Sequence, residues 1–96
     1  MKVSFQLEAE AEFHHAIDFY EDSEPGLGEA FSSEVLAAIE RIRRFPEGWP
    51  KYSYRSRRCL CNRYPYSIVY RIHGEEIVIY AIMHHKRHPG YWKDRR

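Results

Sequence analysis

The chain predicts an α+β fold in the order strand, helix, helix, then three antiparallel strands, with a helical hairpin packed on one face of a small sheet. Three observations predict it. The first residues alternate apolar and polar, the next forty carry two helical stripes split by Pro25-Gly26, and the last half returns to strand-like runs joined by short turns.

Val3, Phe5 and Leu7 alternate with Ser4 and Gln6, so Lys2–Leu7 reads as a half-buried strand with Leu7 facing in. From Glu8 to about Asp22 the period changes. Phe13, Ala16, Ile17 and Tyr20 fall at helical spacing, and Glu in the first turn complements the positive helix start. Glu24-Pro25-Gly26-Leu27-Gly28 breaks that helix. A second helix runs to about Phe45 along Leu27, Phe31, Val35, Ala38, Ile42 and Phe45, with Leu36 and Ile39 widening the apolar face until Pro46 ends it. The short break makes the two helices an antiparallel hairpin.

Residues 47–56 contain Gly48, Trp49-Pro50 and two tyrosines and read as a loop. A strand follows over Arg57–Arg63, its buried face left open because Leu60 opposes Cys59 and Cys61. Two longer strands, 66–72 and 76–83, flank the turn His73-Gly74-Glu75. The second is apolar on both faces, as a central strand should be.

Ninety-six residues make a single domain, residues 1–96, with no repeat or linker. No run approaches the roughly 18 apolar residues of a membrane span, and no signal-peptide pattern opens the chain. A cytoplasmic protein without membrane contact is expected. Cys59 and Cys61 stand two apart on one strand face, about 6.6 Å between Cα atoms, which is poor disulfide geometry. Both are expected to be packed thiols.

The net charge of +1 hides a division. Residues 1–40 hold ten acids against Lys2 alone, whereas residues 41–96 hold fourteen Lys and Arg against four acids. A basic side of this kind attracts phosphates or an acidic partner, unless the two halves neutralise each other across the fold.

The candidate chemistry lies in His84-His85-Lys86-Arg87-His88-Pro89-Gly90-Tyr91-Trp92. If the last strand continues, His85 and Arg87 share one face and His84 takes the other. Imidazole serves acid–base work near neutrality, Arg87 suits a pentacovalent phosphate, and Tyr91 or Trp92 can stack on a base. RNA cleavage through the 2′-hydroxyl needs no metal and no cofactor. The competing reading is a solvated basic tail with Tyr91 and Trp92 packed down as a lid. Arg55, Arg57, Arg58 and Arg63 on the neighbouring strand can form a basic patch beside this tail, together with Lys86. A zinc site is not expected, since no C-x₂-C spacing is present. His14-His15 lies off the apolar stripe and should be exposed. Hydrolase, kinase and dehydrogenase motifs are lacking.

These residues, taken in order, resemble the RelE/ParE superfamily, the toxic halves of type II toxin–antitoxin modules. The resemblance rests on Asp18-Phe19-Tyr20-Glu21, Pro25-Gly26-Leu27-Gly28, Ala38-Ile39-Glu40-Arg41-Ile42, Phe45-Pro46, Trp49-Pro50, Arg57-Arg58, Tyr64-Pro65-Tyr66-Ser67-Ile68-Val69-Tyr70-Arg71 and the tail from His85 to Trp92. It implies neutralisation by a cognate antitoxin and one of two targets. RelE-like toxins cut mRNA in the ribosome, and ParE-like toxins of the plasmid-stabilisation branch inhibit DNA gyrase.

For the nuclease branch the resemblance implies Arg58, Arg87 and Tyr91, with His85 as a substitute base. For binding, Arg55, Arg57, Arg63, Lys86 and Trp92 are the candidates. Leu60 and Ser67 stand where that branch has further cations, which tilts the expectation toward gyrase. The alternatives are a ribosome-dependent mRNA endonuclease, or a degenerate relative that only binds its antitoxin. Whether the chain is an enzyme stays open at this level.

Overall fold

In the computed structural model, which describes residues 1–96, the chain forms β1 (Lys2–Phe5), α1 (Leu7–Ser23), α2 (Leu27–Arg44), β2 (Arg57–Leu60), β3 (Tyr66–His73) and β4 (Glu76–His84). The expected element order is the observed one. Boundaries differ where a cap decides them. Gln6, read as an outward strand residue, is buried, and its side-chain oxygen accepts from the backbone N–H groups of Glu8 and Ala9 at 2.9 and 3.1 Å. It thereby satisfies two of the donors that a helix start leaves free. The strand stops two residues earlier, and Leu7 opens the helix at 75% exposure instead of facing in.

The second helix starts from Gly26, whose φ of 91° is left-handed and which has no capping side chain. Glu21 of α1 supplies the missing acceptor: its carboxylate takes hydrogen bonds from the N–H of Gly26 at 3.0 Å and of Gly28 at 3.0 Å. Gly28 lies so close to α1 that a Cβ there would stand 2.7 Å from the Ile17 carbonyl oxygen. The apolar seam holds through Phe31, Val35, Ala38, Ile39 and Ile42. Two expected members leave it. Leu36 is exposed on the far side of the helix, and Phe45 is exposed because it is the C-cap, where the helical period no longer applies.

The sheet has the order β1-β4-β3-β2, with β1 parallel to β4 and the other neighbours antiparallel. Strand β2 ends at Leu60, three residues short of the expected Arg63, and its open question is resolved: Cys59 and Cys61 face the core as free thiols, and Leu60 points out. The hairpin turn needs only Gly74-Glu75, with Gly74 at φ 62°, and His73 pairs with Glu76.

Val69 pairs with Ala81 and Tyr70 with Ile79, so Tyr80 is an extra residue, a β-bulge. Tyr80 and Ala81 therefore both join the face opposite the helices. This divides the interior in two. The helices and the facing side of the sheet enclose Ala9, Phe13, Phe31, Val35, Ile42, Cys59, Ile68, Tyr70, Ile77 and Ile79. On the reverse face a smaller cluster gathers Val69, Tyr80, Ala81, Met83 and Trp92.

Candidate functional site at the tail and the sheet face

Strand β4 stops at His84, and a turn follows in which the Arg87 N–H donates to the His84 carbonyl at 2.9 Å. That turn overrides strand alternation. His84 faces the helix side, edge-on to Tyr66 with ring centres 5.0 Å apart. His85 lies on the reverse side, its Nε2 2.9 Å from the Ser67 hydroxyl. Arg87, expected to share a face with His85, instead lines a cavity of about 300 Å³ with His84, His15, Phe19, Tyr66, Tyr91 and Glu12. Partial burial, then the nearby Lys86 and His85 charges, lower the His84 pKa and favour its neutral form.

The Tyr91 ring lies under the Arg87 guanidinium at 3.9 Å, and its hydroxyl donates to the Glu12 carboxylate at 2.5 Å. Glu12 also accepts from the Ile82 N–H at 3.1 Å and from Arg95 at 2.7 and 3.0 Å. Its position follows from topology. Strand β1 ends at Phe5, opposite Ile79, so the edge of β4 beyond that point has no strand beside it. The carboxylate takes the place of a strand acceptor there and ties the tail down over it. Burial and the hydrogen bond to Glu12 raise the Tyr91 pKa, so its hydroxyl stays protonated. In the sequence Glu12 is one of ten acids in residues 1–40, and no motif marks it. Its spacing was the available signal, for it sits three residues after Ala9 and four before Ala16, beside the buried stripe.

Trp92, a candidate for binding, is fully buried on the reverse face of the sheet. No ring surface remains for a base or a partner, so the lid reading is the correct one for this residue. Lys86 and Arg63 are exposed.

The β2 arginines do not form one patch. Arg58 lies with its guanidinium 4.6 Å over the Tyr52 ring. Arg57 points the other way and donates to the backbone carbonyls of Glu47 at 3.2 Å and Trp49 at 2.7 Å. Arg55 and Arg57 line a second concavity, of about 340 Å³, with Lys51 and Arg71. Neither Arg58 nor Arg63 lines it. Of the four side chains implied for a nuclease, Arg87 and Tyr91 are brought together. His85 and Arg58 lie elsewhere, each engaged with its own neighbour.

With this geometry established, comparison with known proteins identifies the family. The sequence profile described as "ParE toxin of type II toxin-antitoxin system, parDE" matches residues 3–89. The chain belongs to the ParE toxin family. A solved structure titled "Chromosomal ParDE TA system from P. aeruginosa" is similar in fold, with a TM-score of 0.77 at 20% identity over 88% of this chain and 95% of that one. No curated protein sequence matches. Within this ParE-type toxin, the helices carry most of the acids and the sheet and tail most of the cations. Besides a pair within α2, Glu40–Arg43, the one ion pair is Glu12–Arg95. Mutual neutralisation therefore accounts for little of the charge division. No helix is long and apolar enough to cross a membrane.

Proposed function

We propose that this ParE-type toxin arrests growth by binding and inhibiting DNA gyrase, and that a cognate antitoxin neutralises it. The observation that carries the choice of target is the separation of the nuclease candidates. Cleavage through a 2′-hydroxyl needs a base and cations around one phosphate, each donor about 3 Å from the charge it stabilises. Here His85 is paired with Ser67 on the reverse face, while Arg87 stacks on Tyr91 on the helix side. The Tyr91 hydroxyl is donated to Glu12 and held protonated. Leu60 and Ser67 offer no cation between them. A surface that acts by binding needs none of these groups to converge.

The direct test is a supercoiling assay with purified gyrase and the full chain. Inhibition that rises with toxin concentration and is relieved by the antitoxin is the expected result. Undiminished supercoiling at a large excess of toxin would rule out gyrase as the target.

A further inference from the structure

We propose that the concavity at the start of β2 is a binding site for the phosphate groups of nucleotides. Its lining holds four cations, Lys51, Arg55, Arg57 and Arg71, with the hydroxyl-bearing Tyr52, Ser56 and Tyr70, and no carboxylate. Neither ion pair of the protein involves any of the four. Positive charges lining one concavity of about 340 Å³ repel one another, and a bound anion relieves that repulsion.

Two of the cations, Arg71 and Arg57, are also held in place before any ligand arrives. Arg71 is stacked 4.4 Å from the Tyr80 ring centre and 5.8 Å from that of Trp92, and its buried Nε has no hydrogen-bond partner. Arg57 is fixed by the carbonyls of Glu47 and Trp49. Arg55 follows Tyr54 in the left-handed region, at φ 63° and 57°. Two successive non-glycine residues there store strain that persists only where surroundings enforce it. The enforcing contact is visible: the Tyr54 ring packs edge-on to Trp92 at 5.8 Å and fills the space where Gly90 lacks a Cβ. Planar guanidinium forks at fixed positions match phosphate oxygens in pairs.

Phosphate is favoured over the carboxylates of an acidic peptide by charge density. A nucleotide polyphosphate brings several negative charges into one small concavity, whereas acidic side chains bring one each and need an extended surface. The phosphates come either from a free nucleotide or from a nucleic-acid backbone. The site is separate from Arg87, Tyr91 and His85, and the inference does not depend on gyrase being the target.

The test is titration of the full chain with ATP, with a short DNA duplex and with a polyglutamate peptide, alongside the K51A/R55G variant. Both substituted residues are exposed, and glycine suits the left-handed position. ATP or the duplex is expected to bind, and the variant to weaken it roughly tenfold or more, as loss of hydrogen bonds to charged groups would. Binding by ATP identifies a free nucleotide as the source; binding by the duplex alone, falling steeply with salt, identifies a backbone. The site is refuted if neither binds, if K51A/R55G binds as tightly as the parent, or if polyglutamate binds as well as either nucleotide ligand.

Discussion

Arg95 donates two hydrogen bonds to Glu12, at 2.7 and 3.0 Å, joining residues 83 positions apart in the chain. Their side chains are only 13% and 17% exposed, and the carboxylate also satisfies Ile82 and Tyr91. Arg95 further donates to the Tyr80 carbonyl at 3.1 Å, and Gln6 donates to the carbonyl of Arg96 at 3.2 Å. The tail is thus closed onto the first helix by polar contacts as well as by Trp92.

Removing the acceptor should therefore cost far more than a surface charge. Glu12→Ala leaves a half-buried guanidinium, a hydroxyl and a strand N–H without their partner, and is expected to destabilise the fold by about 3 kcal/mol. Glu12→Gln keeps the shape and should cost less. Urea unfolding of both variants checks this; a loss under about 1 kcal/mol for Glu12→Ala would show that the clamp contributes little.

Tyr91→Phe separates structure from chemistry. It removes one hydrogen bond to a charged group and should cost about 1.5–3 kcal/mol by chemical denaturation. Toxicity at equal folded concentration should be unchanged, because the hydroxyl acts on Glu12 and not on a substrate. The same comparison with Arg87→Ala should likewise leave mRNA patterns unaltered.

The helical hairpin rests on close approach. Gly28→Ala places a Cβ 2.7 Å from backbone oxygen, which cannot move aside as a side chain would, and is expected to cost about 1–3 kcal/mol. Glu21→Ala removes the only side-chain cap of α2 and should cost about 1 kcal/mol. Thermal melts of the two variants, read against the parent, check both values.

Alkaline pH should weaken the fold. Burial, then the neighbouring Cys59, pushes the Cys61 thiol from 9.0 up to about 11, and burial pushes Tyr70 from 10.0 up to about 12. Both groups are neutral when protonated, so between the ordinary and raised values the folded state holds protons that the unfolded state has lost. Stability is then full below about pH 9 and falls as pH rises through 11. Unfolding measured from pH 7 to 11 should show that decline. Thiol-reactive dye at pH 8 should label the native chain slowly and the urea-unfolded chain quickly.

The parts legible in the sequence are those fixed by local period: the Phe31–Val35–Ala38–Ile42 seam, the break at Pro25-Gly26 and the hairpin around Gly74. The parts that were not legible depend on partners distant in the chain. Parallel pairing of β1 with β4 joins the two ends of the fold and leaves no mark on either strand alone. The turn after His84 carried Arg87 to the helix side, which alternation alone assigns to the reverse side. From sequence Trp92 reads equally as a stacking residue or a lid, because its receiving surface, formed by the Tyr80–Ala81 bulge, exists only in the β3–β4 register. Arg71 closes the Tyr64–Arg71 run and Lys51 lies in a loop, and nothing in the sequence links the two; only folding places them beside Arg55 and Arg57.

On the function proposed above, this toxin acts by binding gyrase and not by cutting RNA. The most direct measurement is induction of the full chain in cells, with parallel readout of translated mRNA and of the DNA-damage response. Induced DNA damage with intact mRNA is the predicted result. Rapid mRNA cleavage with undisturbed supercoiling would contradict it.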